Sequence, residues 1–216
     1  MDHSTATARV DTLGTTNTPR QTSPGARVII ALDRGIYWVA RHWLFAVNLV
    51  FCAHFVSLVI GPALVSWGYA GLARPIYGFN GLFCHQRDDR SFTLFGEKMP
   101  CCERCAAIYG SIALVGLLFA LAHGRVRAPR ISEVALLSLP LIVDGAAQLV
   151  GLWESTPATR VMTGVIFGVA TCWLLLPYLD TGFARMRRQI ESLFTRLVAE
   201  GRARPLRGAE HPGGAQ

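Results

Sequence analysis

Apolar and polar positions along this chain separate into long blocks rather than alternating. Trp43 to Ser66 is a run of 24 residues with no Asp, Glu, Lys or Arg and a single histidine, His54. A helix of that length crosses roughly 30 Å of hydrocarbon. Trp43 and Trp67 bracket the run where interfacial anchors belong. Three further apolar blocks follow, at about 105–123, 132–151 and 160–179. Pro140 breaks the register of the third, which also carries Asp144 and Gln148. The pattern predicts an all-α integral membrane protein, a four-helix transmembrane bundle with an extramembrane loop at 67–104 between helices 1 and 2.

The flanks read differently. Residues 1–25 are rich in Thr, Ser, Pro and Gly, with no apolar core of a secretory signal, and predict a disordered tail. The membrane domain is expected over 26–180, with 26–42 as a mixed apolar and basic juxtamembrane segment. In 181–216, Phe183, Met186, Ile190, Leu193, Phe194 and Leu197 recur at helical spacing, with Arg185, Arg187, Arg188 and Arg196 between them. That pattern fits a basic amphipathic helix lying on an anionic inner leaflet, or a helix packing in the cytoplasm, followed by a disordered tail. Gly164 and Gly168 form a G-x-x-x-G that lets helices approach closely, either within the bundle or as the face of a homodimer.

Composition agrees with lipid exposure. The chain is 51% hydrophobic and 16% charged, against about a quarter charged in soluble domains. Its net charge of +7 does not point to nucleic acid, because the basic residues flank apolar runs. There are five Arg before the first span, three in 124–130 and seven in the C-terminal tail, while 152–159 has none. The positive-inside rule then puts both termini and the 124–130 turn in the cytoplasm and the 67–104 loop outside. That loop carries five Lys/Arg against four Asp/Glu.

The loop concentrates the chemistry. F-C-H-Q-R-D-D-R-S-F-T-L-F-G-E-K-M-P-C-C-E-R-C-A-A-I-Y, residues 83–109, holds four of the six cysteines. Cys102 and Cys105 form a C-x-x-C at the mouth of the second span, where a helix N-terminus favours thiolate charge. The stretch between Cys84-His85 and the C-x-x-C, alternating at S-F-T-L-F and turning at 96–100, predicts a short hairpin that folds the pair back toward Cys84. Cys84, Cys102 and Cys105 as thiolates, with His85 as fourth ligand or neighbouring support, make a Cys₃His-type site suited to zinc. Two other readings stand beside it. One is thiol–disulfide exchange linked to a quinone, with Cys102 and Cys105 as the exchanging pair and Cys84 resolving. The other is a disulfide that staples the loop.

Titratable and polar groups inside spans are costly and are functional candidates. Asp144 and Gln148 share a helix face, and the depth count puts Asp144 near mid-membrane with His54 and Arg160 as its candidate partners. Glu154 and Arg160 lie on the same side as the loop, so Asp144, Gln148, Glu154, Arg160 and His54 are the candidate residues of a polar site beneath a cysteine cap. A proton or ion relay through His54 and Asp144 is a third functional class. Cys52 and Cys172 read as apolar packing residues.

Two blocks carry a resemblance. C-H-Q-x₃-R-S-F-x-L-x-G…C-x-R-C-x-x-I-Y-G, at 84–110, and P-L-I-V-D-G-x-x-Q-x-x-G…E-S-T…R-x-x-T-G, at 140–164, are similar to a family of small prokaryotic predicted membrane proteins classed as a domain of unknown function. The resemblance spans about 75–175 and points to Cys84, His85, Gln86, Arg90, Ser91, Cys102, Arg104, Cys105, Asp144, Gln148, Glu154, Ser155 and Arg160. Ala107 stands where that family usually has Gly, and Cys101 where an apolar residue is usual. The resemblance brings no activity, so whether the protein is an enzyme stays open here.

Overall fold

The computed structural model describes residues 23–122 and 125–206. Most of the tails expected at 1–25 and 201–216, and the end of the second span at His123, lie outside those residues. The elements are α1 (Pro24–Ser66), α2 (Ala70–Gly81), a 3-10 turn (Asp88–Arg90), β1 (Thr93–Leu94), β2 (Glu97–Lys98), α3 (Glu103–Leu121), α4 (Ile131–Leu149) and α5 (Pro157–Ala199). Four of them, α1, α3, α4 and α5, are long and apolar enough to cross a membrane. The protein is an all-α membrane bundle. Large apolar side chains on outward faces stay exposed, among them Leu114, Leu117 and Leu121 of α3 and Leu136, Leu139 and Val143 of α4, as lipid contact requires.

Two boundaries differ from the sequence reading. The segment 26–42 is not a separate juxtamembrane piece but the first part of α1, a helix of 43 residues. The basic amphipathic segment after 181 is likewise the second half of α5, also 43 residues long and continuous through Pro177. At 1.5 Å per residue each is about 65 Å long, twice the hydrocarbon thickness. The chain divides into two compact units, one holding the residues up to Ile36 and from Gln189 onward, the other Tyr37–Arg188. Within the first, the Arg34 guanidinium lies 5.6 Å from the centre of the Phe194 ring and donates to the Arg204 carbonyl at 2.7 Å.

The second unit holds the sequence blocks that carry the chemistry. Gly68, at φ +85, ends α1 with its N–H bonded to the Val65 carbonyl at 3.0 Å. Next comes α2, absent from the sequence reading. Three glycines and Pro75 in 12 residues are poor helix formers. Packing overrides propensity: Ala73 and Asn80 are buried, and Tyr77 and Pro100 close on α1 at Gly61. The expected hairpin is present, with Thr93 opposite Lys98 and Leu94 opposite Glu97. Its two-residue turn places Phe95 at φ +56 and Gly96 at φ +80, as the right-handed strand twist prefers.

Small residues set the helix packing. A Cβ on Gly164 would fall 2.7 Å from the Arg104 carbonyl oxygen, and one on Gly168 would fall 2.0 Å from Ser111 Oγ. The G-x-x-x-G face therefore packs against α3 of the same chain. Asn48 Nδ2 of α1 donates to the Gly116 carbonyl of α3 at 3.0 Å, satisfying a buried amide inside the bundle. Thr156 caps α5, its Oγ1 accepting from the Thr159 N–H at 3.2 Å, with Pro157 as the first helical residue.

Candidate functional site

The first turn of α3 organises the site. Cys102 is its N-cap and Cys105 lies one turn along. The last turn of α2 supplies the third thiol: the Asn80 carbonyl accepts from the Phe83 and Cys84 N–H groups at 3.1 and 2.9 Å, so the chain coils on to Cys84. Gln86, at φ +46, turns the chain there and clamps the loop. Its Nε2 donates to the Tyr77 carbonyl at 2.7 Å and to the Pro100 carbonyl at 2.9 Å. Lys98 Nζ donates to the Gln86 carbonyl at 2.9 Å, and the Tyr77 hydroxyl donates to the Lys98 carbonyl. The hairpin is thus tied to both sides of the cysteine pair.

The result is a cluster of three sulfurs. The Sγ atoms of Cys84, Cys102 and Cys105 all lie within 4.8 Å of one another. None of the six cysteines is in a disulfide. The Cys102 N–H donates to Cys84 Sγ at 3.1 Å. The thiols of Cys102 and Cys105, with backbone N–H groups, hold Cys84 well below the usual thiol range. Burial instead pushes Cys101 up to about 12. Cys101 is fully buried and packs with Leu58, Met99 and Ala106 in the apolar cluster around the sulfurs, so it serves the core. His85 is exposed and lies outside the group of converging sulfurs.

A second cluster begins in the same turn. Glu103 and Arg104, between the two cysteines, each reach a different helix. Arg160 Nη1 of α5 donates to Glu103 Oε2 at 3.1 Å, and the two side chains are 5% and 9% exposed. Arg104 Nη2 pairs with Asp144 of α4. The other Asp144 oxygen accepts from Ser155 Oγ at 2.8 Å and Trp153 Nε1 at 3.3 Å. Glu154 accepts from Arg90 at 3.4 Å and lies 3.9 Å from Arg160. Arg90, Arg104 and Arg160, with Glu103, Asp144 and Glu154, therefore join the loop to α3, α4 and α5.

Partners differ from the sequence reading in places. Asp144 pairs with Arg104, not with His54 or Arg160. It lies five residues from the loop-side end of α4, about 8 Å along the axis. His54 stands apart from that carboxylate, its ring edge-on to Tyr109 at 4.5 Å and to Phe79 at 5.7 Å. Gln148 is one turn beyond Asp144, and its Nε2 is buried without a hydrogen-bond partner among the described residues. Ser91 bonds the Arg87 carbonyl at 2.8 Å within the 3-10 turn. Glu103 was missed as a partner for Arg160. The available signal was an acidic residue entering an apolar span, which needs a buried cation.

A family described as predicted membrane protein (DUF2085) matches residues 84–174, which span both clusters. An uncharacterised protein of Methanocaldococcus jannaschii is 32% identical over 137 residues, 62% of this chain and 85% of that relative. An uncharacterised protein of Methanothermobacter thermautotrophicus is 33% identical over 86 residues, 40% of this chain and 78% of the relative. No solved structure matches the chain.

Proposed function

The chain belongs to this family of predicted membrane proteins, and we propose that it is a membrane metal-binding protein whose Cys84, Cys102 and Cys105 thiolates hold a zinc ion above a polar, ion-paired site. The observation that carries this reading is the convergence of three sulfurs within 4.8 Å, those of buried Cys84 and Cys102 and half-buried Cys105. Thiolates gathered in an apolar surround repel one another unless a cation balances them, and soft sulfur donors select zinc or monovalent copper among common metals. The Cys102 N–H on Cys84 Sγ is the kind of outer contact that orients a thiolate ligand. With three protein sulfurs and His85 exposed at the surface, the fourth position of a tetrahedral ion falls to water or to a substrate atom. That is the pattern of exchangeable or catalytic zinc rather than of closed structural sites.

The charged cluster supports a positioning role. Glu103 and Arg104 fix the cysteine-bearing turn to α5 and α4, so the sulfurs are held by three ion-paired helices. Gln148, whose Nε2 has no hydrogen-bond partner among the described residues, is a candidate contact for a polar ligand, beside Asp144, Glu154 and Arg160. The loop faces outward and the basic helix ends face the cytoplasm, a reading supported by the distribution of Lys and Arg. Labelling of a His85→Cys variant by an impermeant maleimide in intact cells tests it; reaction only after permeabilisation would reverse the orientation.

Metal content of the detergent-purified protein tests the main reading. About one zinc per chain is expected, lost in Cys102→Ser/Cys105→Ser. Metal-free protein from chelator-free buffers would refute it. The same sulfur distances would then favour quinone-linked disulfide exchange, read as quinone reduction that consumes two of the three thiols.

A further inference from the structure

A groove of about 440 Å³ runs along α3 beside the sulfur cluster. Small residues open it: Ala106, Ala107 and Gly110 form its floor, from the first turns of α3 to Leu114. That distance is about 12 Å along the helix. Phe55 of α1 and Val165 of α5 form the walls, and Phe92 and Leu94 of the hairpin roof the end nearest the loop. A Cβ on Gly110 would fall 2.8 Å from the Phe55 ring, so glycine is what lets α1 close over this part of the groove.

We propose that this groove is a binding site for one hydrocarbon chain of a bilayer lipid. The lining has no charged side chain, and its one hydroxyl, Ser111 Oγ, already donates to the Ile108 carbonyl at 2.9 Å. No side chain there offers a free hydrogen-bond donor. The rim residues Leu114 and Val165 are 58% and 39% exposed on helices that cross the membrane, so the medium they face is hydrocarbon. The hairpin covers the loop end, which leaves lateral entry from the bilayer. The volume is in the range of small-ligand pockets. Ala106 and Met99, which line the groove, also pack in the apolar cluster with Cys84 and Cys102. The bound chain therefore lies one side-chain layer from the sulfurs. The proposal stands independently of the metal reading.

The full chain in nanodiscs containing a phosphatidylcholine with a diazirine at the end of one acyl chain provides the test. Photocrosslinks are expected to concentrate on peptides covering 103–114. Filling the rim with Leu114→Trp/Val165→Trp is expected to cut them about tenfold, the scale of losing roughly two buried methylenes. Leu117→Trp/Leu121→Trp, also exposed on α3 but outside the groove, is expected to leave them unchanged. Unaltered thermal unfolding of both variants shows that each still folds; if the groove pair does not, Val165→Trp alone replaces it. Equal labelling of groove and control variants would mean ordinary surface lipid and overturn the proposal. So would an isoprenoid quinone or a second copy of the chain recovered in the groove in place of the lipid.

Discussion

Replacing Glu103 by Gln removes the negative partner of Arg160 while keeping size and hydrogen-bonding capacity. The two side chains are 9% and 5% exposed and meet at 3.1 Å. The remaining acidic neighbour of Arg160, Glu154, is 3.9 Å away and 69% exposed, so water screens it. Breaking a buried pair by removing one partner costs about 3–5 kcal/mol, and an exposed pair returns at most about 1 kcal/mol. The net loss expected is about 2–4 kcal/mol. For a chain of this size each kcal/mol lowers the midpoint by roughly 2–4 °C. Thermal unfolding in detergent, followed by circular dichroism, should therefore show a midpoint lower by about 4–16 °C. Arg160→Gln should cost a similar amount by stranding the carboxylate. The double variant should cost less than the sum of the two, because two amides replace two charges, with a coupling above about 1 kcal/mol. Single variants within about 0.5 kcal/mol of the parent, with additive effects, would refute the buried pair.

Gln86→Ala removes two bonds to the Tyr77 and Pro100 carbonyls, and a loss of about 1–3 kcal/mol is expected, read as a lower midpoint and weaker metal retention on dialysis. Gly168→Ala forces a methyl into Ser111 Oγ and the Ile108 carbonyl and should cost about 1–3 kcal/mol. Ser111→Ala should restore only part of that loss, because the Ile108 carbonyl remains 2.9 Å from the added Cβ. A zinc chelator should lower the midpoint of the parent protein and leave Cys102→Ser/Cys105→Ser unmoved; equal response of both would separate stability from the thiols. Phe95→Asn should raise stability by a few tenths to about 1 kcal/mol, since Asn tolerates the positive φ that Phe95 holds at +56; a loss would mean that the Phe95 ring matters more than its backbone.

The block pattern of the sequence determined the four spans, because helices of 19 residues or more with a strongly apolar stretch leave a chain few options except to cross a membrane. Local signals also revealed the hairpin at 93–98 and the C-x-x-C at the mouth of α3, since turn geometry and capping act over a few residues. Other features needed the fold. The helix α2 forms against its own glycines because Ala73 and Asn80 find burial, which no local propensity encodes. The partner of Asp144 is Arg104, 40 residues away, and that of Glu103 is Arg160, 57 residues away. The sequence supplied the charges but not the pairing, which depends on how α3, α4 and α5 bring their loop-side ends together. The three-sulfur cluster stands between the two cases. Its residues were legible as a motif, but their convergence, with His85 left at the surface, was decided by Gln86 bridging Tyr77 and Pro100 and drawing Cys84 onto the first turn of α3.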